Sequence, residues 1–141
     1  MSQRLSSEMI HATTVAKDGR GVVIAGRSGS GKSDLALRLI DRGFVLVSDD
    51  QTLISKADGK LVASAPGTIR GKIEVRGIGI LDVDFADRAA VSLWVTLTNE
   101  IKRLPEGETH MILGLAVPEI SLDAMTASAP IKIELALGMI A

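Results

Sequence analysis

Residues 21–33 read Gly-Val-Val-Ile-Ala-Gly-Arg-Ser-Gly-Ser-Gly-Lys-Ser, and this stretch decides the architecture. Gly26, Gly31, Lys32 and Ser33 fall at the GxxxxGK[ST] spacing of a phosphate-binding loop. At ordinary residue frequencies a chain of this length shows the pattern by accident on the order of 0.5% of the time. The surroundings lower that further. An apolar run, Gly21–Ala25, precedes the loop and reads as a central buried strand. Asp34–Arg42 follows it and reads as a helix, with Leu35, Leu39 and Ile40 on one face. Strand, glycine loop and helix in that order is the context the motif needs. The competing reading is an ordinary glycine-rich turn with a surface lysine.

Each loop residue has its own physical task. Gly26, Gly29 and Gly31 permit backbone conformations that a Cβ forbids, and they let amide N–H groups approach an anion. The new helix adds its positive end. Lys32 would meet the outer phosphates as a mobile point charge, and the Ser33 hydroxyl would sit on Mg²⁺. Arg27, Ser28, Ser30 and Asp34 complete the expected binding segment.

Moving outward, Asp34 and Arg38 form a favourable i,i+4 pair, and Gly43 suits a left-handed helix end. Phe44–Val47 reads as a second buried strand running into Ser48-Asp49-Asp50. The spacing returns the chain to the same sheet edge, so both strand ends would face one crevice. Adjacent aspartates at a strand end point to opposite sides. A solvated or capping pair is the alternative. Asp18-Gly19 and Asp58-Gly59 each mark a hairpin between apolar runs. Ile10–Ala16, Ile73–Val75, Ile78–Val83, Val91–Thr98 and Ile120–Leu122 read as strands, and Asn99–Thr109 as a loop. Ile131, Ile133, Leu135 and Leu137 alternate with Lys132 and Glu134, which predicts a last strand.

Composition narrows the function classes. A length of 141 residues predicts one domain. No run approaches the ~18 apolar residues of a membrane span. The polar start Met1–Ser7 lacks a secretory core, so a cytoplasmic protein without membrane partners is expected. With no cysteine, thiol catalysis and thiolate metal sites are excluded. A net charge of -1 argues against nucleic acid as a partner. Phe44, Phe85 and Trp94 are the only aromatic residues, so rings on which a base could stack are scarce.

The run from Val22 to Asp50 resembles the catalytic domain of the bacterial HPr kinase/phosphorylases. Ile73-Glu-Val-Arg-Gly-Ile-Gly-Ile-Leu-Asp-Val83 is similar to that family's second signature, and His11 stands where the family has its functional histidine. The resemblance covers about residues 9 to 84. It implies an α/β P-loop kinase of the HPr kinase and phosphoenolpyruvate-carboxykinase-like type, with mixed β-sheets and few helices. It implies ATP and Mg²⁺ as cofactors, a seryl residue of an HPr-like phosphocarrier protein as substrate, and a homo-oligomer. Asp49 resembles the catalytic carboxylate, a base toward the serine and an acid in phosphorolysis. His11 resembles its neighbour, with Asp50 beside it. Lys32 joins the catalytic set, and Glu74 with Ser33 is the expected Mg²⁺ contact. Arg76 could stabilise transferring charge, and Gly77 and Gly79 would allow close backbone approach within an extended strand.

Two departures stand out. The family's Pro-Gly-Arg-Asn-like loop is replaced by Leu122-Asp-Ala-Met-Thr-Ala-Ser-Ala-Pro130, without arginine. The expectation is also a single catalytic domain over 1–141, without the N-terminal domain and C-terminal helices of full-length relatives. A P-loop small-molecule kinase or phosphatase, with Asn99–Thr109 as its lid, and a non-catalytic ATP sensor are the competing functions.

Overall fold

The computed structural model describes residues 6–140, which form eleven strands and two α-helices. The motif's strand, β3 (Arg20–Ala25), lies inside the main sheet, antiparallel to β2 (Ala12–Lys17) and parallel to β9 (Arg88–Leu97). Both faces of β3 are covered. Val22 and Ile24 face the helices, Val23 faces the other way, and all three are fully buried. That is why its sequence is a continuous apolar run rather than an alternating one.

β4 (Val45–Ser48) pairs antiparallel with the far side of β2, so β3 and β4 run parallel with β2 between them. Their C-terminal ends therefore share one sheet edge, as the spacing predicts. Beyond β9, two partners divide its other edge. β6 (Lys60–Ser64) pairs antiparallel with its start, and β11 (Leu115–Leu122) pairs parallel with its end. β5 (Thr52–Ala57) and β1 (Ser7–Ile10) extend the β6 side, and β10 (Thr109–Ile112) extends the β11 side. The sheet is mixed, as expected.

Helix α1 (Lys32–Asp41) buries Leu35, Ala36 and Leu39 against the sheet. It ends where Gly43, at φ 101°, donates its N–H to Ile40 O, the left-handed end predicted there. The Asp34–Arg38 pair forms at 3.1 Å. On the opposite sheet face, Val47, Ile54, Leu61, Trp94 and Val117 make a second core. β7 (Lys72–Val75) and β8 (Gly79–Asp82) form a separate antiparallel hairpin beside the main sheet.

Three local readings are corrected. Residues 129–138 form helix α2 (Ala129–Gly138), not a strand. Pro130 sits in the first helical turn, where its missing N–H costs nothing. The helix buries Ala129, Ile133 and Leu137, four residues apart, and leaves Ile131 and Leu135 exposed. The apparent alternation comes from two apolar faces of one helix. The extended run Ile10–Ala16 is broken at His11, so β1 pairs with β5 while β2 pairs with β3 and β4. Gly77 is not inside a strand. At φ 87° it turns the β7–β8 hairpin, with Ile78 N–H donating to Val75 O at 3.0 Å, and open space surrounds both Gly77 and Gly79.

Candidate active site

The loop between β3 and α1 is shaped by its glycines. Gly29 and Gly31 have φ of 80° and 97°, a region costly for residues with a Cβ. Gly26 is held by crowding instead, since a Cβ there would lie 2.6 Å from Ser30 Oγ and 3.0 Å from Leu97 Cβ. Lys32, only 6% exposed, folds back and donates to Gly26 O at 3.0 Å and Arg27 O at 2.9 Å. Ser30 Oγ is buried without a hydrogen-bond partner among the described residues. A buried hydroxyl, a lysine on loop carbonyls and the N-terminus of α1 give this loop the chemistry of an anion cradle.

The end of β4 meets that loop. The Asp49 carboxylate is 7% exposed and takes three donors. Ser33 Oγ–H donates to Oδ1 at 2.6 Å, Thr13 Oγ1–H donates to Oδ1 at 3.0 Å, and Glu74 N–H donates to Oδ2 at 3.0 Å. These donors come from α1, β2 and β7, so one carboxylate ties three elements together. Asp50 takes φ 66°, which turns its exposed carboxylate the other way, 2.7 Å from His11 Nε2. The break at His11 between β1 and β2 is what brings the imidazole there. Thr13 also accepts the Asp50 N–H at 3.0 Å, so a single hydroxyl fixes both aspartates.

Of Asp49, Asp50 and His11, Asp50 lines the adjoining cleft of about 800 Å³ between the loop and the β7–β8 hairpin. Ser28, Gly29, Gly31, Lys32, Ser33 and Asp34 line its loop side, and Asp50, Glu74 and Arg76 stand across from them. Val75, Ile78, Ile80, Leu37 and Met125 supply apolar walls, and among the described residues no aromatic ring lines it. Glu74 and Arg76 are both exposed. Every site residue named from the sequence therefore lies on the loop, in the cleft or in the adjoining Asp49–Asp50–His11 cluster. Thr13 and Met125 were not foreseen. Thr13 has no local signal, because its role comes from pairing β2 beside β4. His110 lies apart from the site and stacks on Trp94 at 3.9 Å on the far side of the sheet.

Comparison with known proteins agrees with this geometry. The family described as HPr Serine kinase C-terminal domain matches residues 3–136. An HPr kinase/phosphorylase of Clostridium botulinum is 45% identical over 84 residues, 59% of this chain and 28% of that protein. One from Caldicellulosiruptor bescii is 54% identical over 74 residues, 52% of this chain and 24% of that protein. The aligned part thus spans about a quarter of these curated relatives. The solved structure of the Hpr(Ser) kinase/phosphatase from Coxiella burnetii superposes with a TM-score of 0.80 at 32% identity, covering 91% of this chain and 87% of that one. The fold is that of an HPr kinase, and the chain belongs to the HPr serine kinase C-terminal domain family.

Proposed function

We propose that this chain carries the catalytic site of an ATP- and Mg²⁺-dependent serine protein kinase that phosphorylates an HPr-like phosphocarrier protein. The observation that carries the reading is the buried Asp49 carboxylate, 2.6 Å from the Ser33 hydroxyl at the mouth of the glycine loop. The fit to a nucleotide's phosphates rests on the Gly26 crowding, the unpartnered Ser30 hydroxyl and the folded Lys32. The fit to a divalent cation rests on two hard oxygen donors on the cleft lining, Ser33 Oγ, which bonds Asp49, and the exposed Glu74 carboxylate.

ATP supplies the phosphoryl group, and Mg²⁺ neutralises its charge. The chain's residues do the rest by positioning and electrostatics. Lys32 exchanges its two carbonyl acceptors for phosphate oxygens. Loop amides of Gly26–Ser33 hold the chain of phosphates, with Arg27, Ser28 and Asp34 at its rim. Asp49 accepts the proton of the substrate serine as its oxygen attacks. His11 and Asp50 form the charged neighbour that biases that proton. Arg76, across the cleft, meets the charge on the transferring group. In phosphorolysis an oxygen of inorganic phosphate attacks the phosphoserine phosphorus, the bond to the serine oxygen breaks, pyrophosphate forms, and protonated Asp49 gives its proton to the leaving serine oxygen. A cytoplasmic homo-oligomer acting on a soluble carrier is the setting that fits.

Labelled ATP, Mg²⁺ and purified HPr-like carriers test the reading. Transfer to a seryl residue of a carrier is expected. Transfer to a metabolite and to no carrier makes this a small-molecule kinase, and binding without transfer makes it a sensor.

A further inference from the structure

One residue of α1 has a role the mechanism above does not use. The Arg38 side chain, about 30% exposed, bonds three acceptors at once. Its Nε–H donates to Asp34 Oδ2 at 3.1 Å, Nη1–H to Thr126 O at 3.2 Å, and Nη2–H to Ala124 O. The last two belong to the loop that joins β11 to α2. That loop is turned on itself by Asp123, which accepts Met125 N–H at 2.9 Å and Thr126 Oγ1–H at 3.0 Å.

The loop in turn lies on the phosphate loop. Ala124 is 3% exposed, and its Cβ sits 3.2 Å from where a Cβ on Gly31 would be. Met125, next to it, lines the cleft wall. Gly31 holds φ 97°, a conformation that strains a residue with a Cβ, and Ala124 occupies the space that a Cβ there would need. A planar guanidinium with donors on both arms suits two carbonyls and a carboxylate, and it stays charged at any working pH.

We propose that Arg38 is a positioning residue for nucleotide binding. It clamps the 123–126 loop onto Gly31 and so fixes the amides of Gly31, Lys32 and Ser33 in their binding orientation. This rests on the nucleotide reading above, and its test has an arm that needs no nucleotide.

Mg·ATP affinity is measured by calorimetry for the wild type, Arg38→Ala, Ala124→Gly and the double variant. Amide exchange is followed at Leu35, whose N–H donates to Gly31 O, and at core Ile24. Arg38→Ala is expected to weaken Mg·ATP by about fivefold or more, the lower end of intersite coupling. The loss should shrink in the Ala124→Gly background, because the contact it acts through is already gone. Exchange should quicken at Leu35 and not at Ile24. Unchanged affinity, equal losses in both backgrounds, or equal quickening at Ile24 each overturns the proposal. If Arg38→Ala does not fold, Arg38→Gln, which keeps the stem and one donor group, is read the same way. A wild type that fails to bind Mg·ATP refutes the nucleotide reading, and the exchange arm still decides whether Arg38 holds Gly31.

Discussion

Replacing Thr13 by valine keeps the side chain's shape and removes one hydroxyl. That hydroxyl donates to Asp49 Oδ1 at 3.0 Å and accepts the Asp50 N–H at 3.0 Å, at a position with no exposed surface. A bond to a charged acceptor contributes about 1.5–3 kcal/mol, and the half-buried Asp50 N–H left without Thr13 costs about 1 kcal/mol, the low end for a stranded donor. Asp49 Oδ1 keeps the Ser33 hydroxyl, so the low end of the first range applies. The methyl that replaces the hydroxyl returns about 0.8 kcal/mol. The net destabilisation is about 2 kcal/mol. At a urea slope of about 2 kcal/mol per molar, the unfolding midpoint falls by about 1 M. Trp94, buried and the only tryptophan, reports the transition by its fluorescence. Thr13→Ser keeps the hydroxyl and is the control. If Thr13→Val unfolds within about 0.5 kcal/mol of Thr13→Ser, the scatter of an ordinary surface change, then Thr13 does not hold the two aspartates.

Other outcomes follow from particular contacts. Lys32→Met removes the charge on Gly26 O and Arg27 O, and Mg·ATP affinity should fall at least tenfold, about 1.4 kcal/mol, by calorimetry. Ile133→Ala should cost about 2–4 kcal/mol in urea unfolding, while Leu135→Ala costs under about 1 kcal/mol. A strand would bury both, so equal losses contradict helix α2. Glu108 is held below the ordinary carboxylate range, chiefly by the bond from Lys102 at 2.7 Å. Its ionised form therefore favours the fold above the ordinary glutamate range, and that contribution is lost as pH falls through the lowered value. Lys102→Met should move the Glu108 titration upward by carbon-detected NMR. An unmoved titration would show that Lys102 is not the cause.

Which parts of this were legible in the sequence depends on the range of the forces that made them. The glycine loop, β3, α1 and the Gly43 helix end are written in neighbouring residues, and all appear as read. Asp49 was also legible, because a strand returning from a helix brings its end back to the same sheet edge. The antiparallel strand β2, which lies between β3 and β4, left no trace in that argument. It is the reason Thr13 reaches Asp49, and a threonine in a β-branched run carries no sign of such a partner. Residues 131–137 carry the period of a strand because Ile131 and Leu135 are apolar yet exposed on helix α2. The Arg38 contacts join residues 86 and 88 apart in the chain, where local pattern says nothing.

Asp49→Asn tests most directly whether Asp49 directs the attacking serine. The amide keeps an acceptor for Ser33 and Thr13 but cannot take a proton as a carboxylate does. Single-turnover phosphoryl transfer from bound Mg·ATP to an HPr-like carrier should fall by about 10²–10⁴-fold, the usual worth of a general base. Mg·ATP binding should change far less. Transfer at the wild-type rate in a variant that binds ATP normally would contradict the account.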